Sequence, residues 1–445
     1  MSDAAKPERR LAAAGAITII IGIVVGAGIF RTPSMVAGVT GDVGWAFVAW
    51  TLGGLISLIG ALCYAELASA YPHAGGDYHF LSRAYGRQTS FLYAWAKAMV
   101  INTGSIALLA FVFGDYLSAV MNLGANSSAI WAVLVVLALT AINVMGLTLT
   151  ARFQAFFTVI VFLGLLMVAA SAIWIQTPAS VSPPLFSSSP PLGLMGLALV
   201  FVLLTFGGWN ESAYISAEVK GGPKSIVSII VISLALITVL YVAVNLALFY
   251  GLGLPALAKS QAPASDLVLL GLGVWAEWLV SALVALAALT SINATMIVGA
   301  RSNYALGNDW LHLSFIGRWQ ADRGAPVAAY LVQCAICVAL IGLGSMYADG
   351  FEAMVEFTAP VFWGFLFLVG LGLMRLRRID PDAPRPYRVP LYPALPVIFC
   401  VTCAYLTYSS IVYAHSQGAV HVSLLVMLAG VVALWLLNRS KKSTV

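Results

Sequence analysis

Two short glycine-bearing strings interrupt long apolar runs of this sequence: Gly26-Ala27-Gly28-Ile29-Phe30, closed by Pro33, and Gly207-Gly208-Trp209-Asn210. Each glycine weakens a helix interior by about 1 kcal/mol relative to alanine and loosens the backbone. A helix broken at such a place frees amide N–H groups at the start of one half and C=O groups at the end of the other. These are partial charges aimed at one spot. Amides suit a carboxylate and carbonyls suit an ammonium, so a pair of such breaks fits a zwitterionic solute. The competing reading is close helix packing, since Gly22 and Gly26 also form a G-x-x-x-G face.

The elements that carry these strings are membrane helices. The chain has 445 residues, of which 61% are hydrophobic and 9% charged, far from the roughly 25% charged residues of a soluble domain. Apolar runs long enough to cross a hydrocarbon core of about 30 Å recur about twelve times. The expected spans are 11–38, 44–70, 90–121, 129–146, 153–176, 193–219, 226–252, 267–300, 326–345, 351–374, 392–413 and 420–438. No soluble domain fits between them.

Basic residues fall in alternate loops, as the positive-inside rule requires. Lys6, Arg9 and Arg10 precede span 1; Arg83 and Arg87 follow span 2; Arg152 follows span 4; Lys220 and Lys224 follow span 6. Arg301, Arg318 and Arg323 follow span 8, five arginines from Arg375 to Arg388 follow span 10, and Arg439, Lys441 and Lys442 follow span 12. The opposite loops contain only Lys259. Both termini are therefore expected in the cytosol, and the net charge of +5 reflects topology, with no nucleic-acid partner. The first run is too long for a signal peptide and lacks a small-residue cleavage site.

Other chemistry is excluded motif by motif. Cys334-Ala-Ile-Cys337 and Cys400-Val-Thr-Cys403 have C-x-x-C spacing but lie within apolar spans without a basic neighbour, so they read as small packing residues. The short loop Met121–Ser128 has no cysteine, so no disulfide-linked heavy subunit is expected; Asn126-Ser127-Ser128 has the form of a glycosylation sequon. There is no H-E-x-x-H, G-x-S-x-G or phosphate-loop motif, and neither enzyme, metal nor cofactor is expected.

The two glycine strings open two successive five-span blocks, spans 1–5 and 6–10. Five is odd, so the second block crosses with inverted topology. Interrupted helices at matching places in inverted halves point to a transporter's midplane site.

On these residues a family resemblance rests. Gly26 to Phe30, the string YAELASAYPHAGGDYHFLSRAYG from Tyr64 to Gly86, and Gly207 to Asn210 with Glu218, Pro223 and Lys224 resemble the amino acid–polyamine–organocation transporters. RPYRVPLYP from Arg385 to Pro393 is similar to the L-type amino acid transporter branch in particular. The resemblance implies an all-α integral membrane fold of about twelve helices. It is the five-plus-five inverted repeat of the leucine-transporter type plus two C-terminal helices, with helices 1 and 6 unwound at mid-membrane. The blocks would be 1–191, 192–381 and 382–445. By the same resemblance, the amides of Gly26, Ala27 and Gly28, with Ile29, hold the substrate carboxylate. The carbonyls of Val24 and Leu204, with Phe206 or Gly207, hold its ammonium, beside Gly208 and the Asn210 side chain.

The remaining polar residues stay open between two readings. Asn102 and Asn293 either line the pocket or bond between helices. Glu211 is a proton site or a helix-facing acid, and Glu356 an outer-gate or proton-linked acid or an interfacial one. Lys97 is read as snorkelling toward the cytosol in preference to a functional role. Arg31 would pair with an unidentified acid when the outer path closes; the usual aromatic lid position is Leu204, so Phe206 or Trp209 would cover the ligand, or the pocket is roomier. Where relatives carry a lysine in span 5, this chain has Val161, so sodium would bind near span 1 with help from Thr290 and Ser291, or the protein exchanges substrates without an ion. The hydroxyls of Thr290 and Ser291 otherwise bond back to their own helix.

The sequence thus reads as a secondary transporter of neutral amino acids working by alternating access. It would be an exchanger or a symporter coupled to sodium or protons, in a plasma membrane such as the inner membrane of a bacterium. The alternatives are a channel, a carrier of cationic amino acids or polyamines, and a transport-inactive sensor, which would ordinarily carry a longer cytosolic extension than the tails of about ten residues seen here.

Overall fold

The computed structural model describes residues 17, 20–22, 24–71, 73, 76–145, 151–175, 185–187, 192–212, 222–320, 325–417 and 420–442. Lys6, Arg9, Arg10, Glu218, Lys220 and Arg323 lie outside them, and Glu211 and Lys224 are described by backbone alone. The helices are α1 (Thr32–Thr40), α2 (Val43–Ala70), α3 (Asp77–Tyr85), α4 (Arg87–Val120), α5 (Ser127–Val144), α6 (Ala151–Ser171) and α7 (Leu192–Thr205). They continue with α8 (Trp209–Ser212), α9 (Gly222–Lys259), α10 (Pro263–Leu272), α11 (Val274–Asp309), α12 (Val327–Gly344), α13 (Gly350–Ile379), α14 (Ala394–Gln417) and α15 (Val420–Lys442).

Among the described residues ten helices are long and apolar enough to cross a membrane. They correspond to ten of the twelve expected spans. The two missing from the set are spans 1 and 6, whose helices are both interrupted at their glycines. One boundary differs from expectation. Span 8 begins at Val274, and the apolar residues just before it form the separate short helix α10, ended by Gly273 at a φ of 84°. A run of hydrophobic residues does not reveal such a corner, because both arms are apolar.

Sequence also sets how the helices begin. Asp42 caps α2, its carboxylate accepting from the amides of Gly44 at 2.8 Å and Trp45 at 3.2 Å. The same carboxylate takes the amides of Phe186 and Ser187 and the Ser187 hydroxyl, which ties the start of α2 to the segment that precedes α7. Burial pushes the Asp42 pKa up, but these hydrogen bonds outweigh it and hold the group below its ordinary value. Asp349 caps α13 in the same way, through the amide of Glu352 at 3.0 Å.

The helices sort into two packed groups. In one, α1 and α2 each pack against both α7 and α9; in the other, α4, α5, α11 and α12 pack on one another. Small residues let the first group close up: a Cβ on Gly53 would stand 2.3 Å from Val202, and one on Gly54 2.3 Å from Thr238. Helix α6 packs against both α9 and α11, and α13 against both α4 and α14. The seam between the two groups is where the broken helices face inward.

Candidate functional site

The first break is short and extensively held. Backbone in helical conformation reaches Val24, Gly26 is extended at φ −106° and ψ −170°, and Ala27–Phe30 make a single 3-10 turn before α1. A turn that starts at Ala27 leaves its first amides without acceptors inside it. On its far side the Phe30 carbonyl accepts the Tyr116 hydroxyl of α4 at 2.8 Å. In the second break α7 ends at Thr205, residues 206–208 turn, and Gly208 takes a φ of 98° before α8. That φ lies where an L side chain is strained.

The two breaks touch. The hydroxyls of Thr32 and Thr205 are 2.5 Å apart. The Tyr241 hydroxyl of α9 stands 3.2 Å from the Val24 carbonyl and 3.4 Å from the Thr205 carbonyl, reaching a carbonyl on each broken helix. Tyr241 packs in turn on Trp50 and Phe206 with ring centroids 5.7 and 5.0 Å away.

A cavity of about 580 Å³ opens on both breaks. Of the residues singled out from sequence, it is lined by Val24, Gly26, Gly28, Leu204, Gly207, Gly208, Asn210, Asn102, Asn293 and Ser291. Ala27, Ile29, Phe206 and Trp209 are buried behind that wall. Phe206 faces Trp50 and Tyr241, and Trp209 packs edge-on to Tyr64 and Phe399. Neither aromatic ring lies over the cavity in this conformation. Ser291 stands beside the first break, its Oγ 3.1 Å from a Cβ built on Gly26, whereas the Thr290 hydroxyl bonds back to Ala287 O at 2.9 Å. Val161 is buried in α6.

The asparagines differ from one another. Asn293 both lines the cavity and accepts from Asn143 across helices at 2.7 Å. Asn102 also lines it, is 7% exposed, and its Nδ2 has no hydrogen-bond partner among the described residues. An unpaired amide donor at a cavity wall is costly unless something comes to meet it.

Arg31 is fixed at one end of the cavity, 2% exposed. It donates to the Ser260 carbonyl at 2.6 Å, to Ser34 Oγ at 3.3 Å and to the Asp349 carboxylate, with Asp115 at 4.0 Å from its Nε. These contacts join α1, the α9–α10 corner, α4 and α13. At the other end of the bundle, fully buried Glu66 accepts from Arg377 at 2.7 and 2.5 Å and from the Val389 amide at 2.6 Å, with Arg385 at 3.6 Å. That is where RPYRVPLYP docks, Arg377 also stacking on Tyr392 at 3.8 Å. The cavity extends toward this second end as far as Asp77, Tyr93 and Lys97. Lys97, expected to snorkel away, is part of the wall.

Sequence reasoning did not single out Tyr241, Tyr116, Thr32, Thr205 or Asp349. Hydroxyl tips within apolar runs were the available signal, weaker than a charge. The five cysteines are all buried and unbridged.

Residues 13–434 match the family model described as amino acid permease. The chain is 27% identical over 406 residues to the b(0,+)-type amino acid transporter 1 of Mus musculus, covering 89% of this chain and 81% of that protein. It is 27% identical over 411 residues to the Asc-type amino acid transporter 1 of Mus musculus, covering 90% and 76%. To the large neutral amino acids transporter small subunit 2 of Mus musculus it is 28% identical over 437 residues, covering 95% and 80%.

Proposed function

The chain belongs to the amino acid permease family and is a multi-pass membrane protein of amino acid transport, and on that premise we propose that it carries neutral amino acids by alternating access, each held between its two broken helices. The observation that carries this reading is the one cavity onto which both breaks open. The amides at the start of the Ala27 turn receive the carboxylate; the Leu204 carbonyl, which takes only the Gly207 amide, keeps a lone pair for the ammonium, and the Val24 carbonyl, which takes the Gly26 amide and the Tyr241 hydroxyl, joins it when that hydroxyl turns to the Thr205 carbonyl. Asn102 and Asn210 add side-chain contacts. A neutral substrate fits a described lining whose charged residues are one acid, Asp77, and one base, Lys97.

Alternating access needs a closure at each end. The Arg31 cluster supports a conformation sealed at the Asp349 end, which the distribution of basic loops makes the outer one. The cavity's extension toward Lys97 fits access from the cytosol. The packing of spans 1, 2, 6 and 7 apart from spans 3, 4, 8 and 9 respects a five-span offset, which supports the inverted repeat and its division at 191 and 381. Burial of every cysteine supports a carrier without a disulfide-linked subunit. The charge pattern favours a plasma membrane with both termini cytosolic.

The test is uptake of a labelled amino acid panel by proteoliposomes, with and without sodium, a proton gradient or internal substrate. Saturable uptake is expected, and whichever condition accelerates it identifies the driving force. Binding without uptake under every condition would return the sensor, and single-channel currents would return the channel.

A further inference from the structure

Lys97 has no role in the central site. It lies ten residues into α4, about 15 Å along the helix from Arg87, and lines the same cavity as the two breaks. Its ammonium makes no hydrogen bond or ion pair among the described residues. A cation left unpaired inside a membrane span is unfavourable unless it serves a pathway. The helix deforms here: Lys97–Ile101 form a π turn in which the Asn102 amide reaches back to the Lys97 carbonyl. Such turns concentrate at functional sites. This one sets Asn102 about one turn beyond Lys97 in α4, and both line the cavity onto which the Gly26–Gly28 break opens. The wall thus carries three kinds of donor: backbone amides at the break, the Asn102 side chain and the Lys97 ammonium. Asp77 also lines the cavity at this level, its carboxylate oriented by the Tyr93 hydroxyl at 2.8 Å.

We propose that Lys97 forms a second carboxylate-binding subsite in this cavity, where the α-carboxylate of an amino acid is taken up after it leaves the Gly26–Gly28 amides, with Asp77 facing its ammonium. The subsite rests on the transport reading above, and it assigns the two walls of the exit path opposite charges. An amino acid arriving from the Lys97 end meets this subsite first; one arriving from the Arg31 end meets the broken helices first. Lys97 is therefore a residue whose influence differs between the two faces of the membrane.

The experiment uses proteoliposomes of the full-length protein, with L-leucine and L-alanine as labelled probes applied separately to each face. Lys97→Met is expected to raise the half-saturating concentration on the Lys97 side roughly tenfold, the loss of a charge-assisted hydrogen bond, with less than about a twofold change on the Arg31 side. Lys97→Arg keeps the wild-type value on both faces. Equal changes on the two faces, or none on either, overturn the subsite. If Lys97→Met does not survive purification, Lys97→Gln against Lys97→Arg makes the same comparison. A wild-type protein that moves neither probe nor any other amino acid would instead overturn the transport reading, so the two failures are distinct.

Discussion

The first break is held chiefly by side chains from its neighbours, whereas the second, which shares two of those contacts, adds a left-handed glycine of its own. Around Gly26–Phe30, side chains from α4, α9 and α7 bond to the broken segment, and Arg31 fastens its outer end to Ser260 and Asp349. Around Phe206–Gly208 the turn is made locally, by the Gly207 amide on the Leu204 carbonyl at 3.0 Å and by the positive φ of Gly208. Two helices broken at one cavity thus differ in what fixes their shape. The first is released mainly by moving what surrounds it; the second also depends on a backbone conformation that favours glycine.

Filling the first break should have the largest effect. A Cβ on Gly28 makes only ordinary contacts, the nearest at 3.5 Å from Thr205, so alanine fits, but the branched carbons of Gly28→Val reach into Thr205 and the substrate space. Losing two amide bonds to a carboxylate corresponds to about 1.5–3 kcal/mol each. Leucine binding to Gly28→Val is expected to fall at least about 100-fold, with the detergent-solubilised protein melting near the wild type. Unchanged affinity would mean that the first break does not carry the carboxylate.

Asp349→Asn tests how the first break is anchored. Removing one partner of a buried ion pair is worth about 3–5 kcal/mol, and Asp115 at 4.0 Å keeps the effect at the lower end. About 3 kcal/mol corresponds to a roughly 100-fold shift toward an open Arg31 end. An impermeant maleimide applied from that side should then label a cysteine placed at Leu109, a cavity residue, far faster than in the parent. Labelling at the parental rate would show that Arg31 holds only a static corner. Gly208→Ala, by contrast, acts through backbone strain of about 1–3 kcal/mol. It should weaken leucine binding about tenfold while the labelling rate stays as in the parent. If Gly208→Ala also opened the Arg31 end, the two breaks would move as one body.

The same contrast explains what the sequence made legible. Glycine strings in apolar runs located both breaks, because they recur at matching places in the two five-span blocks, which isolated packing glycines such as Gly53 and Gly54 do not. Hydropathy and alternating Lys/Arg gave the spans, because lipid imposes length and charge rules on each helix separately. Partners across the fold were invisible: Arg31 meets an acid 318 residues away, and Tyr241 sits 217 residues from Val24. The cavity beside Lys97 was not legible, since neither the π turn nor the space behind it leaves a mark in hydrophobic periodicity. Leu204 at the usual aromatic lid position leaves Phe206 and Trp209 as the covers to expect, and where the turn aims these two rings is not carried by their spacing.

The smallest expected effect decides whether the two breaks cooperate. Apart from the substrate itself, two links described here join them: the Thr32–Thr205 hydroxyl pair, and the Tyr241 hydroxyl shared between the Val24 and Thr205 carbonyls. Tyr241 has one hydrogen for two carbonyls, so it can follow either helix as they shift, whereas the threonine pair at 2.5 Å holds a single geometry. Tyr241→Phe and Thr32→Val each remove one link while nearly preserving shape, and each should cost about 0.5–1.5 kcal/mol of leucine affinity. If the links work as a unit, the double variant departs from additivity by at least about 0.5 kcal/mol, the second substitution adding little once the first has freed the helices. Strict additivity would mean that each break keeps its shape without the other, and that the zwitterion alone brings them into register.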